Sequence, residues 1–177
     1  RHPSIEVTRH GVYIYGRPPE FHGSHPVVGD FPNGVYFRAE GDDLTLVGSL
    51  DTAAEQVDNP DRYTSQITLD ESVPFGETLM RRFPIMASGE ARGGWAGLYD
   101  VTPDWHPILD RLGEIEGLHV AAGTSGHCFK LSPAIGRLLA GLLTGDATAI
   151  ADLAPFRRER FETGKLVAGR YTHGIVA

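Results

Sequence analysis

A glycine turn that leads into a helix holds the residues best suited to chemistry. Gly123 and Gly126 follow the short apolar run 118–122, and His127 and Lys130 come next. Glycine lets backbone amides face a ligand without side-chain obstruction. The first turn of a helix adds unpaired N–H groups and a partial positive charge. The sequence therefore predicts a site for a negatively charged group, with Lys130 supplying a full positive charge.

The helix behind this turn has the clearest pattern in the chain. Ser132 is the predicted N-cap, Pro133 suits the first helical position, and Gly145 ends the run. The apolar residues recur at helical spacing: Ile135, Leu138, Leu139, Leu142 and Leu143. We expect a helix over 132–143 whose positive end points back toward Lys130 and His127.

The first half of the chain reads as strands joined by turns. Alternating apolar and β-branched residues predict strands at 4–15, 34–39 and 44–50, and the polar run 40–43 predicts a hairpin turn between the last two. Further elements are predicted as a helix at 74–82 with Leu79, Met80 and Phe83 inward, a strand at 94–101 and a short buried strand at 118–122.

Composition narrows the function classes. The chain has 177 residues, 41% hydrophobic content and a net charge of -7, which suits one soluble core and argues against nucleic-acid binding. No apolar stretch approaches the ~20 residues needed to cross a bilayer. A single cysteine, Cys128, excludes an internal disulfide and fits a reducing, cytoplasmic compartment. Eight histidines raise the possibility of a metal hydrolase, but no His-x-x-x-His or cysteine pair occurs, so no metal site is expected.

A set of spaced motifs then resembles a known family. The motifs are Thr102-Pro103-Asp104, Pro107-Ile108, Gly123-x-Ser125-Gly126-His127-x-Phe129-Lys130 and Pro133-x-x-Gly136. Together they are similar to the C-terminal signature of the FAD-dependent oxidoreductases of the D-amino-acid oxidase and sarcosine oxidase type. The strands from 25 to 48 and the tail at 156–161 extend the likeness over nearly the whole chain.

The resemblance implies an α+β fold with a mixed, largely antiparallel sheet flanked by helices. Residues 1–95 would form the substrate-domain-like sheet and helix, and residues 96–177 the strand, glycine turn, helix and tail at the flavin edge. The family's N-terminal Gly-x-Gly-x-x-Gly dinucleotide-binding domain has no counterpart in this sequence. We therefore interpret the chain, which opens Arg1-His2-Pro3, as the C-terminal part of a longer flavoenzyme.

The implied reaction is oxidation of a C–N bond in an amine or amino acid by hydride transfer to flavin. Lys130 and Tyr99 are the candidate catalytic residues; the plainer interpretations are a solvated lysine and a packed strand tyrosine. The candidate FAD-binding residues are Gly123, Ser125, Gly126, His127, Cys128, Phe129 and Lys130. His106 is expected to fix the loop around Thr102 and Asp104 and to take no part in the chemistry.

The candidate substrate-binding residues are Tyr36, Arg38 and Tyr99. Arg38 would anchor a substrate carboxylate, although an exposed strand arginine is the plainer interpretation. Gly97 stands where some family members carry the cysteine that anchors flavin, so FAD is expected to be non-covalent. This chain has Ser49-Leu50 where the sarcosine oxidase strand ends with a substrate-facing histidine, and Cys128 replaces a common glycine.

A non-catalytic alternative stays open. The chain could be a mixed-sheet binding or interaction module that partners a separate dinucleotide-binding chain. In either case this chain alone is expected to be inactive and not to retain FAD. The reading frame upstream of Arg1 would distinguish the two cases.

Overall fold

The computed structural model describes residues 5–51, 54–113 and 115–168, so the Arg1-His2-Pro3 start and Ser4, the first residue of the predicted strand 4–15, lie outside the described residues. It has eight strands: β1 (Glu6–Gly16), β2 (Val28–Asp30), β3 (Val35–Glu40), β4 (Leu44–Ser49), β5 (Glu55–Gln56), β6 (Glu90–Val101), β7 (Ile108–Arg111) and β8 (His119–Ala122). The α-helices are α1 (Leu69–Arg82), α2 (Ser132–Thr144), α3 (Ala147–Asp152) and α4 (Glu159–Thr163). The chain divides into two compact units, residues 9–98 and residues 5–8 with 99–168.

Residues 9–98 are built on the larger sheet, in which β2, β3, β4 and β1 pair antiparallel in that order. Strands β5 and β6 both pair with β1. The predicted hairpin turn lies between β3 and β4. These pairings confirm the predicted α+β class with its largely antiparallel sheet.

The core of this unit lies between the sheet and α1. Phe37, Val47 and Leu79 are fully buried there. Because side chains alternate along a strand, the burial of Val35 and Phe37 places Tyr36 and Arg38 on the opposite face of the sheet. Phe83 packs on the core as expected, whereas Met80 is 38% exposed, so its predicted inward position is wrong.

Helix α1 begins five residues earlier than the sequence pattern predicts. Thr68 accepts a hydrogen bond from the Glu71 amide at 3.2 Å, and the Glu71 carboxylate accepts one from the Thr68 amide at 2.6 Å. This capping box starts the helix at Leu69, and Pro74 lies inside it. The start at Pro74 was wrong because the Thr-x-x-Glu signal outweighs the cost of one internal proline.

Arg9 ties an irregular segment to the sheet and to this cap. Its guanidinium donates to the Thr64 carbonyl at 2.9 Å, to the Gln66 carbonyl at 2.7 Å and to the Glu71 carboxylate at 2.6 Å. The Arg9 side chain is only 8% exposed. The hydrogen bond from the Thr68 amide, and after it the bond from Arg9, lowers the pKa of Glu71.

Residues 99–168 hold the β7–β8 hairpin, the glycine turn and α2 to α4. Strand β7, which the sequence pattern did not predict, pairs antiparallel with β8. A 3₁₀ turn at Phe129–Leu131 runs directly into α2, so the N-cap is Leu131 and Ser132 makes no capping bond. The predicted Ser132 cap is therefore wrong, whereas Gly145 ends α2 in the left-handed conformation as predicted.

A buried ion pair fastens the tail of this unit to the loop after β6. The Arg160 guanidinium binds the Asp104 carboxylate through two bonds of 2.7 and 3.0 Å, and the two side chains are 3% and 2% exposed. Arg160 also donates to the His106 carbonyl at 2.7 Å, and Asp104 accepts from the Val167 amide at 3.0 Å. Burial alone would raise the pKa of Asp104, but Arg160 and the Val167 amide bring it below its ordinary value. We call this pair the Asp104–Arg160 clasp.

Candidate functional site

The glycine turn at 123–126 adopts a left-handed backbone conformation that few residue types tolerate. Gly123, Ser125 and Gly126 have φ angles of +66°, +50° and +74°. Glycine enters this region freely, whereas a residue with a Cβ loses about 1 to 2 kcal/mol there. Ser125 therefore needs compensation, and it is completely buried. Its hydroxyl accepts from the Thr102 amide and donates to the Gly123 carbonyl, both at 3.3 Å.

Tyr99 lies directly against the turn. A Cβ built on Gly126 would overlap the Tyr99 ring, so only glycine allows this approach. The candidate catalytic tyrosine and the candidate FAD-binding turn are thus in contact. Sequence reasoning placed both residues in the site but did not foresee that they touch.

Sequence reasoning missed two residues that shape the turn: Asp100, beside it, and Thr124, within it. Asp100, next to Tyr99 on β6, accepts from the Thr124 hydroxyl at 2.7 Å and from the Thr124 amide at 3.0 Å. The Asp100 carbonyl accepts from the Ser125 amide at 3.2 Å. In the sequence, only the position of Asp100 next to Tyr99 could have indicated that it belongs to the site.

His127 is half-buried and its ring is held by the turn. Its Nδ1 lies 3.0 Å from the Ser125 carbonyl, which can only accept, so Nδ1 donates. Burial lowers the pKa of His127, and the charge of Lys130 lowers it further. The imidazole is therefore neutral at pH 7, with Nε2 as an acceptor.

Lys130 and His127 line a cavity of about 370 Å³ beside the first turns of α2. His106, also on its wall, donates through Nδ1 to the Asp104 carbonyl at 2.6 Å. This bond agrees with the predicted loop-fixing role of His106. Cys128 is buried. Burial is the larger cause that raises the pKa of its thiol, and the negative charge of Asp100 is the smaller one, so the thiol is protonated. Phe129, by contrast, is 95% exposed.

The residues present fit the pyrimidine edge of a flavin. Left-handed glycines open the turn, Lys130 is exposed, and no described residue accepts from the amides of Gly126 and Cys128. The electron-rich N–C=O edge of a flavin is stabilised by a nearby positive charge and by N–H groups that donate hydrogen bonds to it. Lys130 and the turn from Gly123 to Phe129 are the residues that could hold the cofactor.

Tyr36 and Arg38 belong to the sheet of residues 9–98. The Tyr36 ring crosses over Gly48, its antiparallel partner on β4, and a Cβ on Gly48 would overlap that ring. Burial raises the pKa of Tyr36, and Arg38 opposes part of that rise. No described residue hydrogen-bonds the Tyr36 hydroxyl, which leaves it available to a ligand.

Arg38 is already partnered. It forms an ion pair of 2.6 Å with Glu40 on the same face of β3, and both side chains are 49% exposed. A substrate carboxylate would have to compete with Glu40 for this guanidinium. The geometry thus favours Tyr36 over Arg38 as the polar contact that this strand offers.

The described residues include no helix of the length and apolar character that a membrane span needs.

Comparison with protein families matches residues 2–142 to the model described as FAD dependent oxidoreductase.

Individual relatives agree with this match. The chain is 30% identical to the FAD-dependent oxidoreductase domain-containing protein 1 of Bos taurus, over 91% of this chain and 33% of that protein. It is 40% identical to the sarcosine oxidase subunit beta of Arthrobacter sp over 95 residues, which are 54% of this chain and 22% of the subunit. Among solved structures, the L-proline dehydrogenase of P. horikoshii superposes with a TM-score of 0.76 at 25% identity, covering 93% of this chain and 42% of that one. The chain spans about a third of the length of the bovine relative.

Proposed function

Because this chain belongs to the FAD dependent oxidoreductase family, we propose that it supplies the substrate-binding sheet and the flavin-edge turn of an enzyme that oxidises a C–N bond. The relatives named for sarcosine and L-proline suggest a secondary amino acid as the substrate. Both compounds carry a secondary amine next to a carboxylate. FAD, when bound, accepts the hydride from the carbon beside that nitrogen.

One observation carries the proposal: Tyr99 packs directly against Gly126 of the turn that bears Lys130. This contact brings a candidate substrate-lining side chain and a candidate cofactor-binding backbone into one place. Lys130, the free turn amides and the N-terminus of α2 supply positive potential for the negative charge that develops during hydride transfer.

The substrate side is assigned to Tyr36, Tyr99 and, more weakly, Arg38. The Tyr36 hydroxyl has no described hydrogen-bond partner and can donate to a substrate carboxylate. Since Ser49-Leu50 replaces a histidine of the sarcosine oxidases, the resemblance implies a less polar substrate site. Gly97 offers no thiol, so FAD is held without a covalent bond.

A dinucleotide-binding part is needed to complete such an enzyme. None of the residues of α2 is fully buried although the helix is apolar, and Phe129 and Leu143 are 95% and 65% exposed. We infer that this surface is covered by the part that binds the rest of FAD. That part belongs either to the same polypeptide or to a separate subunit. The cytoplasmic location stays a prediction.

Replacement of Lys130 tests the proposal. In the FAD-containing protein, Lys130→Met should slow flavin reduction or reoxidation on the order of 10²-fold, because one preorganised charge is lost. Rapid mixing under anaerobic conditions, with sarcosine and L-proline as substrates, separates the two half-reactions. Lys165→Met is the matched control, since Lys165 is the only other lysine and lies exposed near the C-terminus.

Rates within about threefold of the parent in both half-reactions would contradict the role of Lys130, because that change is too small for a lost charge contact. Tyr99→Phe should instead change KM more than kcat if Tyr99 only lines the cavity.

A further inference from the structure

The glycine turn does not hold its conformation by itself. Three of its four residues have positive φ, and one of the three is a serine. A short segment of this kind relaxes unless surrounding structure fixes it. The groups that fix it come from the end of β6 and the residue after it, namely Tyr99, Asp100 and Thr102.

Asp100 makes the most demanding of these contacts. Both hydrogens that Thr124 can donate, one from its amide and one from its hydroxyl, go to the two carboxylate oxygens of Asp100 at 3.0 and 2.7 Å. The Asp100 carbonyl takes the next amide, that of Ser125. One residue thereby fixes two consecutive positions of the turn.

A carboxylate meets this requirement because both of its oxygens accept. An asparagine offers one acceptor oxygen and one NH₂ donor, so it cannot accept the two Thr124 hydrogens on separate oxygens, and the Thr124 hydroxyl would have to turn and accept instead. Hydrogen bonds to a charged acceptor are also stronger than those between neutral groups.

We propose that Asp100, acting through Thr124, is the positioning residue that holds the glycine turn in the conformation in which its amides and Lys130 face the flavin. The flavin-facing part of this proposal rests on the proposed function. The holding part does not, because it concerns contacts within this chain alone.

Three variants of the 177-residue chain isolate the contact. Asp100→Asn removes one acceptor and the charge, Thr124→Val removes only the hydroxyl donor, and Thr124→Ser keeps that donor. Amide hydrogen exchange at Ser125 and His127 measures how often the turn opens. We expect at least tenfold faster exchange in Asp100→Asn and in Thr124→Val, exchange within threefold of the parent in Thr124→Ser, and unchanged exchange in α2.

The single cysteine gives a second readout. Cys128 is buried beside the turn, so a thiol reagent labels it faster when the turn opens. Removal of the Asp100 charge could by itself activate the thiol, whereas Thr124→Val leaves that charge in place. Faster labelling in both variants therefore reports opening. Exchange and labelling within threefold of the parent in both Asp100→Asn and Thr124→Val would overturn the proposal.

A third arm separates this inference from the proposed function. In the FAD-containing protein, Asp100→Asn and Thr124→Val should each raise the dissociation constant for FAD about tenfold, while Thr124→Ser leaves it unchanged. If turn opening increases but FAD affinity stays constant, Asp100 still holds the turn. In that case the turn is not the FAD site, and the cofactor assignment is the part that fails.

Discussion

At the scale of single residues, contacts between tyrosine and glycine recur through the chain. The pairs are Tyr13 with Gly11, Tyr15 with Gly76, Tyr36 with Gly48 and Tyr99 with Gly126. A Cβ would overlap the tyrosine side chain at Gly11, Gly48 and Gly126, and would press tightly on the Tyr15 ring at Gly76. Such contacts bury one face of an aromatic ring and orient it through packing. Tyr36 and Tyr99, the two candidate substrate-lining rings, are oriented in this way.

Gly48→Ala should displace the Tyr36 ring. The added methyl group would overlap that ring, and overpacking of this kind costs about 1 to 3 kcal/mol of unfolding free energy. Once displaced, the phenol is less buried, so its raised pKa should fall toward the ordinary value of 10.0. Urea denaturation and a spectrophotometric titration, with Tyr36→Phe subtracted, measure the two effects.

Gly97→Ala is the control for Gly48→Ala. Gly97 lies on β6 of the same unit, and no atom lies within 4 Å of the Cβ position. Equal stability of the two alanine variants would show that the ring does not depend on Gly48.

At the scale of elements, the Asp104–Arg160 clasp joins the loop after β6 to the tail. Every donor nitrogen of Arg160 is engaged: Nε and one terminal nitrogen bind Asp104, and the other binds the carbonyls of Phe156 and Arg157. Loss of one partner would leave the other as an uncompensated buried charge, which is more costly than the net value of the pair. The clasp is the buried ion pair of the tail, which the Arg158 amide also joins to Asp110 at 3.0 Å.

Arg160→Met should therefore lower the free energy of unfolding by about 3 to 5 kcal/mol. Urea denaturation at pH 7 gives the measurement. Arg137→Met serves as the control, because Arg137 is an exposed residue on α2. A loss under 1 kcal/mol for Arg160→Met would mean that the tail is held by other contacts.

The clasp also predicts the pH dependence of stability. The folded state lowers the pKa of Asp104, so the carboxylate stabilises the fold fully above its ordinary pKa of 3.8. That contribution is lost as pH falls from about 4 through the lower folded value. Asp104→Asn should remove this part of the acid dependence, and urea denaturation between pH 3 and 7 would detect it.

The elements differ in how far the sequence predicts them. α2 has helical periodicity, a proline start and a glycine stop, and its limits agree with the prediction to within one residue. The predicted end of α1 at Arg82 is confirmed, but its start is wrong because the capping box of Thr68 and Glu71 begins the helix before Pro74. β7 has only four residues, too few for an alternating pattern to stand out.

The candidate site is predictable as a segment but not as a set of contacts. The turn from Gly123 to Lys130 is contiguous, so its motif is visible in the chain. Tyr99 and Gly126 are far apart in sequence, and nothing local in either indicates that they touch. Asp100 was missed for the same reason, because its partner Thr124 follows 24 residues later.

At the scale of the whole molecule, the chain has the glycine turn that we propose faces the flavin, but it has no Gly-x-Gly-x-x-Gly motif for the pyrophosphate. No Gly-x-Gly-x-x-Gly segment occurs in the 177 residues. The adenosine and pyrophosphate parts of FAD supply much of the area through which such a cofactor is bound. Contacts at the flavin edge alone must still offset the entropy of ordering a large flexible molecule.

We therefore expect the purified chain to be colourless and not to retain FAD in a gel-filtration or equilibrium-dialysis experiment. Heat or acid denaturation of the complete FAD-containing protein should release the flavin, since Gly97 offers no thiol. A stoichiometric flavin spectrum from the chain alone would contradict the first expectation. Flavin that stays with the denatured polypeptide would contradict the second.

The three hydrogen bonds of Arg9 determine where a protease can act. Residues 57–68 contain no α-helix or β-strand, and trypsin usually cuts segments of this kind. Arg62 lies exposed within them. Yet the Thr64 and Gln66 carbonyls are bound to a guanidinium that is itself shielded. A protease must draw an extended segment into its cleft, so cleavage at Arg62 requires these bonds to break first. The segment should resist nicking in the native protein and become the first cut once Arg9 is replaced.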